Sequence, residues 1–402
     1  MFLHRFFKAP RVYLDYAAAT PVRASVRQVM EQYAANTFAN PSAIHKEGRA
    51  ARRAVEASRE TVARLLKIRT EDVVFTSGGT EANNLAIFGV VEEARARGAR
   101  YEDMEIISTA IEHPSVRETL AVCAEKGVVV HDVPVDEDGR IVMHDFEELL
   151  SSKTVLVTFA YANSEVGVVQ DVKRITRTVR ALGEVRPYVH LDASQAPLWL
   201  PIAMDMLGVD LMTLDAGKCY GPKGVGVLAR RHHVVLRPSM YGGDQEKGLR
   251  PGTENVPLIA GCAKALEIAC EGMATRATRT AELREYFIKK LLEEVDGAVV
   301  NGSREHRIAN NVNISVKGID GEFAVVTLDV QDVAASTRSA CAGGKGGGSH
   351  VVRTLTKDEE RAASTVRFTL GEETTKGVID RAVSVLAAHV KKSAGSLDWG
   401  KK

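Results

Sequence analysis

The chain has 402 residues, of which 45% are hydrophobic and 26% charged, with a formal net charge of +1. That length exceeds what one core usually serves, so two lobes are expected. The near-neutral charge gives no basic field for nucleic acid, and the longest apolar run, around TVLVTFAYA, is too short to span a bilayer. The opening stretch MFLHRFFKAPRVYLDY lacks the long apolar region and small-residue cleavage site of a signal peptide. It reads as a short arm over residues 1–14 that packs on the smaller lobe. The five cysteines, Cys123, Cys219, Cys262, Cys270 and Cys341, form no C-x-x-C pair. Free thiols in a reducing, cytoplasmic compartment are expected, with no disulfide framework and no metal site. Cys262 and Cys270 fall in an alanine-rich helical pattern and read as packing residues.

In chain order, short apolar runs alternate with helical patterns, which predicts an α/β fold with a mostly parallel seven-stranded sheet and flanking helices. The predicted strands are DVVFTS (72–77), EIISTA (105–110), VVVHDVPV (128–135), TVLVTFAY (154–161), YVHLDA (188–193), LMTLDA (211–216) and VGVLAR (225–230). Helices are predicted over TEANNLAIFGVVEEARARG, SVRETLAVCAEKG and DVKRITRTVRALGE, several of them stopped by glycine after a basic residue. One long helix is expected from about 258 to 295. The rest, with NNVNISV, FAVVTLDV, STVRFTLG and VIDRAVSVLAAHV, reads as a smaller α+β domain. The expected division is a large domain over 15–260 and a small C-terminal domain over 261–402, which carries a loop at 336–350 around the glycine run AGGKGGG.

Five stretches carry residues suited to chemistry. In VVFTSGGTEANN a strand ends at Ser77, Gly78 and Gly79 turn the backbone, and Thr80 opens a helix. Backbone N–H groups, a hydroxyl and the helix dipole then face one point, where a phosphate is the natural ligand. The plainer reading is an ordinary strand-to-helix turn. In VHLDASQAP, Asp192 ends a strand at the edge where parallel sheets bind ligands, with Gln195 close behind. Such a carboxylate suits a protonated ring nitrogen, or else a helix N-cap. His113, in AIEHPSV, suits ring stacking or proton transfer, or a capping role. In LDAGKCYGPKG, Lys218 lies between two strands in a glycine-rich corner, where an amine beside a phosphate cradle and a carboxylate can form a Schiff base with an aldehyde cofactor. Lys223, after a Tyr-Gly-Pro turn, reads as a brace. Cys341 precedes the glycine run, between Arg338 and Lys345, as a nucleophilic thiol on a tether would.

Together with LDYAAATPV, NPSAIHKEGRAARRAVEASRE, EVGVVQD, GGDQEKGLRPGTENVP, RSACAGG and VRFTLG, these stretches resemble the cysteine desulfurases of the class V aminotransferase group, over about Leu14 to Val383. The loop around Cys341 is similar to the housekeeping iron–sulfur branch. The resemblance implies a fold type I transferase that uses pyridoxal 5'-phosphate. It implies Lys218 as the Schiff-base lysine and base at the substrate Cα, His113 stacked on the ring and carrying a proton near the leaving sulfur, and Asp192 on the ring nitrogen. Gln195 would meet the phenolic oxygen, Gly79 and Thr80 the phosphate, and Thr253 the phosphate of the other subunit of a homodimer. Asn163 and Arg367 would hold the carboxylate of L-cysteine, and Cys341 would take its sulfur for delivery to an acceptor such as an iron–sulfur scaffold. A selenocysteine lyase or other class V β-lyase is the nearest alternative, and a cofactor-poor assembly partner is the alternative outside enzymes. The sequence departs from the family pattern where Asp215-Ala216-Gly217-Lys218 replaces Ser-x-His-Lys, where Ser164 replaces a second Asn, and at GEETT (371–375). At Asp215 an acid stands where a phosphate ligand is usual, so it either turns to a backbone N–H or a basic residue, or weakens the cofactor's hold.

Overall fold

The computed structural model describes residues 11–337 and 348–397; Cys341, with Arg338 and Lys345, lies outside them. The chain divides into two units, one of Ala19–Ser164 and Val168–Ala277, the other of Met1–Ala18, Glu165–Gly167 and Thr278–Lys402.

In chain order β1 (Val12–Tyr13) is followed by α1 (Ala24–Asn36) and α2 (Lys46–Leu66). Helix α2 opens at His45, whose Nδ1 accepts the Gly48 N–H at 3.2 Å, and closes at Lys67 in the left-handed conformation. Its buried Ala51, Val55, Val62 and Leu66 recur at helical spacing on one face. Next come β2 (Val73–Thr76), α3 (Gly79–Ala96), β3 (Glu105–Thr109), α4 (Pro114–Glu125), β4 (Val129–Val133), α5 (Met143–Leu149) and β5 (Thr154–Ala160). They are followed by α6 (Val172–Arg180), β6 (Tyr188–Asp192), α7 (Met204–Leu207), β7 (Leu211–Asp215) and β8 (Gly226–Arg230).

Strands β2 to β8 form one seven-stranded sheet, ordered β2-β8-β7-β6-β5-β3-β4, so every strand expected from the sequence lies in it. Neighbours from β7 through β4 pair in parallel, while β8 is antiparallel to both β7 and β2. Only β8 is therefore reversed. Near-continuous burial of β2, β5, β6 and β7 is what strands covered on both faces require. The reversal sets Gly226 opposite both Thr76 and Asp215. A Cβ there would lie 2.6 Å from the Gly78 carbonyl carbon, so only glycine admits this approach of β8 to the turn after β2.

The expected long helix is two helices, α8 (Val256–Cys270) and α9 (Met273–Glu294). Glu271 is extended and Gly272 has φ +64, a conformation that favours glycine. Arg276 caps the broken end: its Nη1 donates to Ala269 O at 2.7 Å and its Nη2 to Ile268 O at 3.1 Å and Glu271 O at 2.9 Å. The boundary expected at 260 thus falls inside an unbroken helix, and the division lies in α9.

The other unit adds β9 (Ala298–Val300), β10 (Asn311–Val316), α10 (Gly321–Val330), β11 (Val333–Ala334), α11 (His350–Thr356), α12 (Glu359–Ala363), β12 (Thr365–Thr369) and α13 (Lys376–Leu397). Strands β12, β10 and β9 form an antiparallel sheet, and β1 pairs in parallel with β11. Its core gathers Phe287, Leu291, Ile314, Phe368 and Leu386, with the Phe287 and Phe368 rings 5.0 Å apart.

A buried ion pair ties α2 to the loop before α8. Arg59 donates Nη1 to Glu246 Oε2 and Nη2 to Oε1, each at 2.7 Å, and Glu246 Oε2 also accepts the Phe75 N–H at 2.9 Å. The two side chains are only 8% and 2% exposed. Removing one partner strands the other's charge, so Glu246→Ala is expected to cost roughly 3–5 kcal/mol in urea unfolding. A loss below about 1 kcal/mol would show that water reaches Arg59 once the carboxylate is gone.

Candidate active site

Six strands of the sheet point the same way, and the residues singled out from the sequence cluster at their C-terminal ends. Gly78 and Gly79 follow β2, His113 follows β3, Asn163 follows β5, Asp192 closes β6, and Asp215 to Lys218 close β7. This is the edge at which open α/β sheets bind ligands.

Asp192 is nearly buried, at 9% exposure. Asn83, on the first turns of α3, donates Nδ2 to Asp192 Oδ2 at 2.8 Å and to Ser115 Oγ at 2.9 Å. The Ser194 N–H bonds Asp192 Oδ1 at 3.0 Å. Ser115 Oγ lies 2.8 Å from His113 Nδ1, which also caps α4 by accepting the Ser115 N–H at 3.1 Å. Because Nδ1 accepts, the proton of the neutral ring sits on Nε2. Asp192 and His113 are thereby linked through two side chains that the sequence reading passed over. The signal for Asn83 was a polar side chain inside the apolar run of α3, between Ala82 and Leu85; such a residue, once buried, needs partners.

Burial pushes two titratable groups near this cluster toward their neutral forms. His190 is fully buried between Thr158 Oγ1 at 2.8 Å and Thr213 Oγ1 at 3.0 Å, and burial pushes its pKa down to about 4. Glu112 accepts from Thr109 Oγ1 at 2.6 Å, and its Oε2 is buried without a hydrogen-bond partner. Burial, reinforced by the charge of Asp192, pushes its pKa up to about 7.

At the lysine end, Asp215 turns to backbone. Its Oδ1 accepts the Gly217 N–H at 2.8 Å and its Oδ2 accepts the Gly79 N–H at 3.1 Å. Lys218 is half-buried at the end of the 3₁₀ turn Ala216–Lys218. Thr20 clamps that turn, bonding Gly217 O through both its N–H and its hydroxyl at 3.0 Å and accepting the Tyr220 N–H at 2.7 Å. Lys223 Nζ donates to Thr20 O. Burial lowers the pKa of Lys223; nearby Asp215 opposes that shift and Lys218 adds to it.

The other expected residues are placed as follows. Asn163 is buried with Nδ2 on Ile111 O at 2.8 Å, Gln195 is half-buried, and Thr80 and Thr253 are exposed. Arg367 belongs to the other unit, on β12, where it is 1% exposed and donates to Asp15 Oδ1 at 2.7 Å. The described cysteines have thiols pushed up by burial: Cys123 and Cys270 to about 11, Cys262 to about 12, and Cys219 well above its ordinary value.

The aminotransferase class-V model matches residues 12–381. The chain belongs to this family. It is 37% identical to cysteine desulfurase IscS of Dictyoglomus turgidum over 95% of each chain. It is 36% identical to cysteine desulfurase IscS 1 of Archaeoglobus fulgidus over 94% of this chain and 97% of that one. Among solved structures, a NifS-like protein aligns with a TM-score of 0.87 at 33% identity, over 95% of this chain and 99% of its own. SspA in complex with cysteine aligns with a TM-score of 0.76 at 31% identity, over 89% and 98%. The family membership and fold expected from the sequence are both found.

The residues fit a phosphorylated pyridine aldehyde. Asp192 is a buried acceptor with its remaining geometry fixed by Asn83 and Ser194, as a ring N–H needs. Lys218 supplies an amine on a clamped turn. At the phosphate end, a Cβ on Gly79 would crowd Ser194 Oγ at 3.1 Å and Asp215 Oδ2 at 3.3 Å, so glycine keeps the cradle open.

Glu112 sets a pH dependence. Its folded pKa, about 7, lies above the ordinary 4.5, so between those values the folded chain holds more protons than the unfolded one. Its contribution to stability is full below the lower value and is lost as pH rises through the upper. Glu112→Gln should abolish that loss, on the order of 3 kcal/mol. Urea midpoints of both proteins at pH 5 and pH 8 read the difference, and parallel shifts would mean that Glu112 is already ionised at pH 5.

Proposed function

We propose that this chain is a cysteine desulfurase that uses pyridoxal 5'-phosphate, converting L-cysteine to L-alanine and leaving the sulfur as a persulfide on Cys341. The observation that carries this reading is the Asp192 carboxylate, buried and held by Asn83 and the Ser194 N–H at the sheet edge from which the Lys218 turn also departs. Such a carboxylate keeps a ring nitrogen protonated, and the bound cofactor then supplies an electron sink for charge formed at the substrate Cα.

This chain's own residues do the rest. Lys218 is the residue that would hold the cofactor's aldehyde carbon, and its amine would take the Cα proton of bound cysteine and return it. His113 would cover the ring, and its Nε2 would handle the proton near the leaving sulfur; Ser115 fixes the tautomer that permits this. Gln195 would bond the phenolic oxygen, Gly79 and Thr80 would hold the phosphate, and Asn163 and Arg367 would bind the substrate carboxylate. The Cys341 thiolate bonds to the substrate sulfur as the Cβ–S bond breaks. The bonding pair stays on carbon, which takes the thiol proton, so cysteine and enzyme thiolate become alanine and enzyme persulfide. The working unit is a homodimer in which Thr253 reaches the phosphate of the other subunit, and the persulfide passes to an acceptor protein such as an iron–sulfur scaffold. Among the described residues no helix is long and apolar enough to cross a membrane, and the enzyme is placed in the cytoplasm as part of this proposal.

Two variants test the assignment. Lys218→Ala should lose both the cofactor's visible absorbance and all sulfide release from cysteine and dithiothreitol. Cys341→Ser should keep the absorbance and its response to cysteine yet form no persulfide. Full turnover by Cys341→Ser would replace the proposal with a β-lyase or selenocysteine lyase, and a wild type that takes up no cofactor would replace it with a non-catalytic partner.

A further inference from the structure

We infer that Asp215 sets how strongly this chain distinguishes the phosphorylated form of its aldehyde cofactor from the unphosphorylated alcohol, an inference that rests on the proposed function. The turn after β2 offers backbone N–H groups at the start of α3, and carboxylates already occupy two of them. Asp215 Oδ2 takes the Gly79 N–H at 3.1 Å, and Glu81 Oε2 takes the Ser77 N–H at 2.6 Å. Glu81 is balanced by Arg250, whose Nε lies 3.0 Å from it, and its pKa is lowered: burial opposes ionisation, while the Ser77 and Arg250 bonds outweigh it. Asp215 has backbone partners, at Gly79 and Gly217, and Lys223 near it directs its ammonium to Thr20 O.

A phosphate entering this cradle meets a like charge. It either settles on the remaining donors beside Asp215 or expels a side chain that already makes two hydrogen bonds, and both routes cost affinity. A 5'-hydroxyl has no such conflict, since it can donate to Asp215 Oδ2. Asp215 therefore spends the cradle's discrimination in favour of a neutral group. Asn in its place keeps the cap on Gly217 through its side-chain oxygen and removes the charge. Ser matches the family pattern at this position and serves if the amide variant folds poorly.

The test titrates the full-length protein, stripped of cofactor, with pyridoxal 5'-phosphate and separately with pyridoxal. Dissociation constants are read from the visible absorbance that Lys218→Ala abolishes. In the wild type the two constants should differ by roughly tenfold or less. Asp215→Asn and Asp215→Ser should each tighten the phosphorylated ligand by on the order of tenfold or more while leaving pyridoxal unchanged or weaker. Inorganic phosphate should then compete with pyridoxal 5'-phosphate more strongly in the variants than in the wild type. Equal constants ratios in all three proteins, or weaker binding of the phosphorylated ligand in both variants, would overturn the inference while leaving the proposed function standing. Absence of Lys218-dependent absorbance with either aldehyde would overturn both.

Discussion

One amide group organises the chemistry at the sheet edge. Asn83 donates to Asp192 and to Ser115 from the same nitrogen, and Ser115 in turn meets His113. A carboxylate as enclosed as Asp192 costs several kcal/mol unless its lone pairs are met, and Asn83 and the Ser194 N–H meet one on each oxygen. Because α3 begins where β2 ends, the same helix presents its N-terminus to one end of the site and Asn83 to the other. Displacing α3 along its axis would misplace both ends together.

Protonation states around this edge divide by surroundings. His190 lies between two hydroxyls and Glu112 keeps one oxygen unpartnered, and burial shifts both toward their uncharged forms. Glu81, only partly enclosed, has an arginine and a backbone N–H, and its pKa is lowered. The same distinction bears on the sulfur acceptor. Each described cysteine has its thiol raised by burial and is a poor thiolate at neutral pH. Of the five cysteines only Cys341, which the proposed function makes the sulfur acceptor, lies outside the described residues.

The parts of the fold written in the sequence are those that obey a period. Strands covered on both faces must be continuous apolar runs, which is why the inner strands β5, β6 and β7 could be read directly. The break between α8 and α9 obeys none: Gly272 sits among good helix formers, and the interruption depends on Arg276 reaching back to three carbonyls near the end of α8. Composition alone does not reveal such a cap. At the site, Lys218, Asp192 and His113 were visible as residue types at strand ends. Asn83 and Ser115 were not singled out, because their value lies in partners more than thirty residues apart in part of the network. Asp215 stood out as a departure, and one of the two outcomes open to it, a turn toward backbone N–H groups, is the one adopted; that Gly79 is among them depends on sheet order.

Sheet order also explains why an acid is tolerated there. The reversed strand β8 pairs with β2 and β7 at once, and Gly226 lets the Gly78–Gly79 turn close down on its first residue. That brings the N-terminus of α3 within one hydrogen bond of the end of β7. Asp215 spans the gap, with one oxygen on the turn after β2 and the other on the turn that carries Lys218. A side chain bridges the two turns, so the lysine turn is held in place by covalently attached groups, Asp215 on one side and Thr20 on the other. The edge of the site is thus shaped by hydrogen bonds from the chain's own side chains to its backbone.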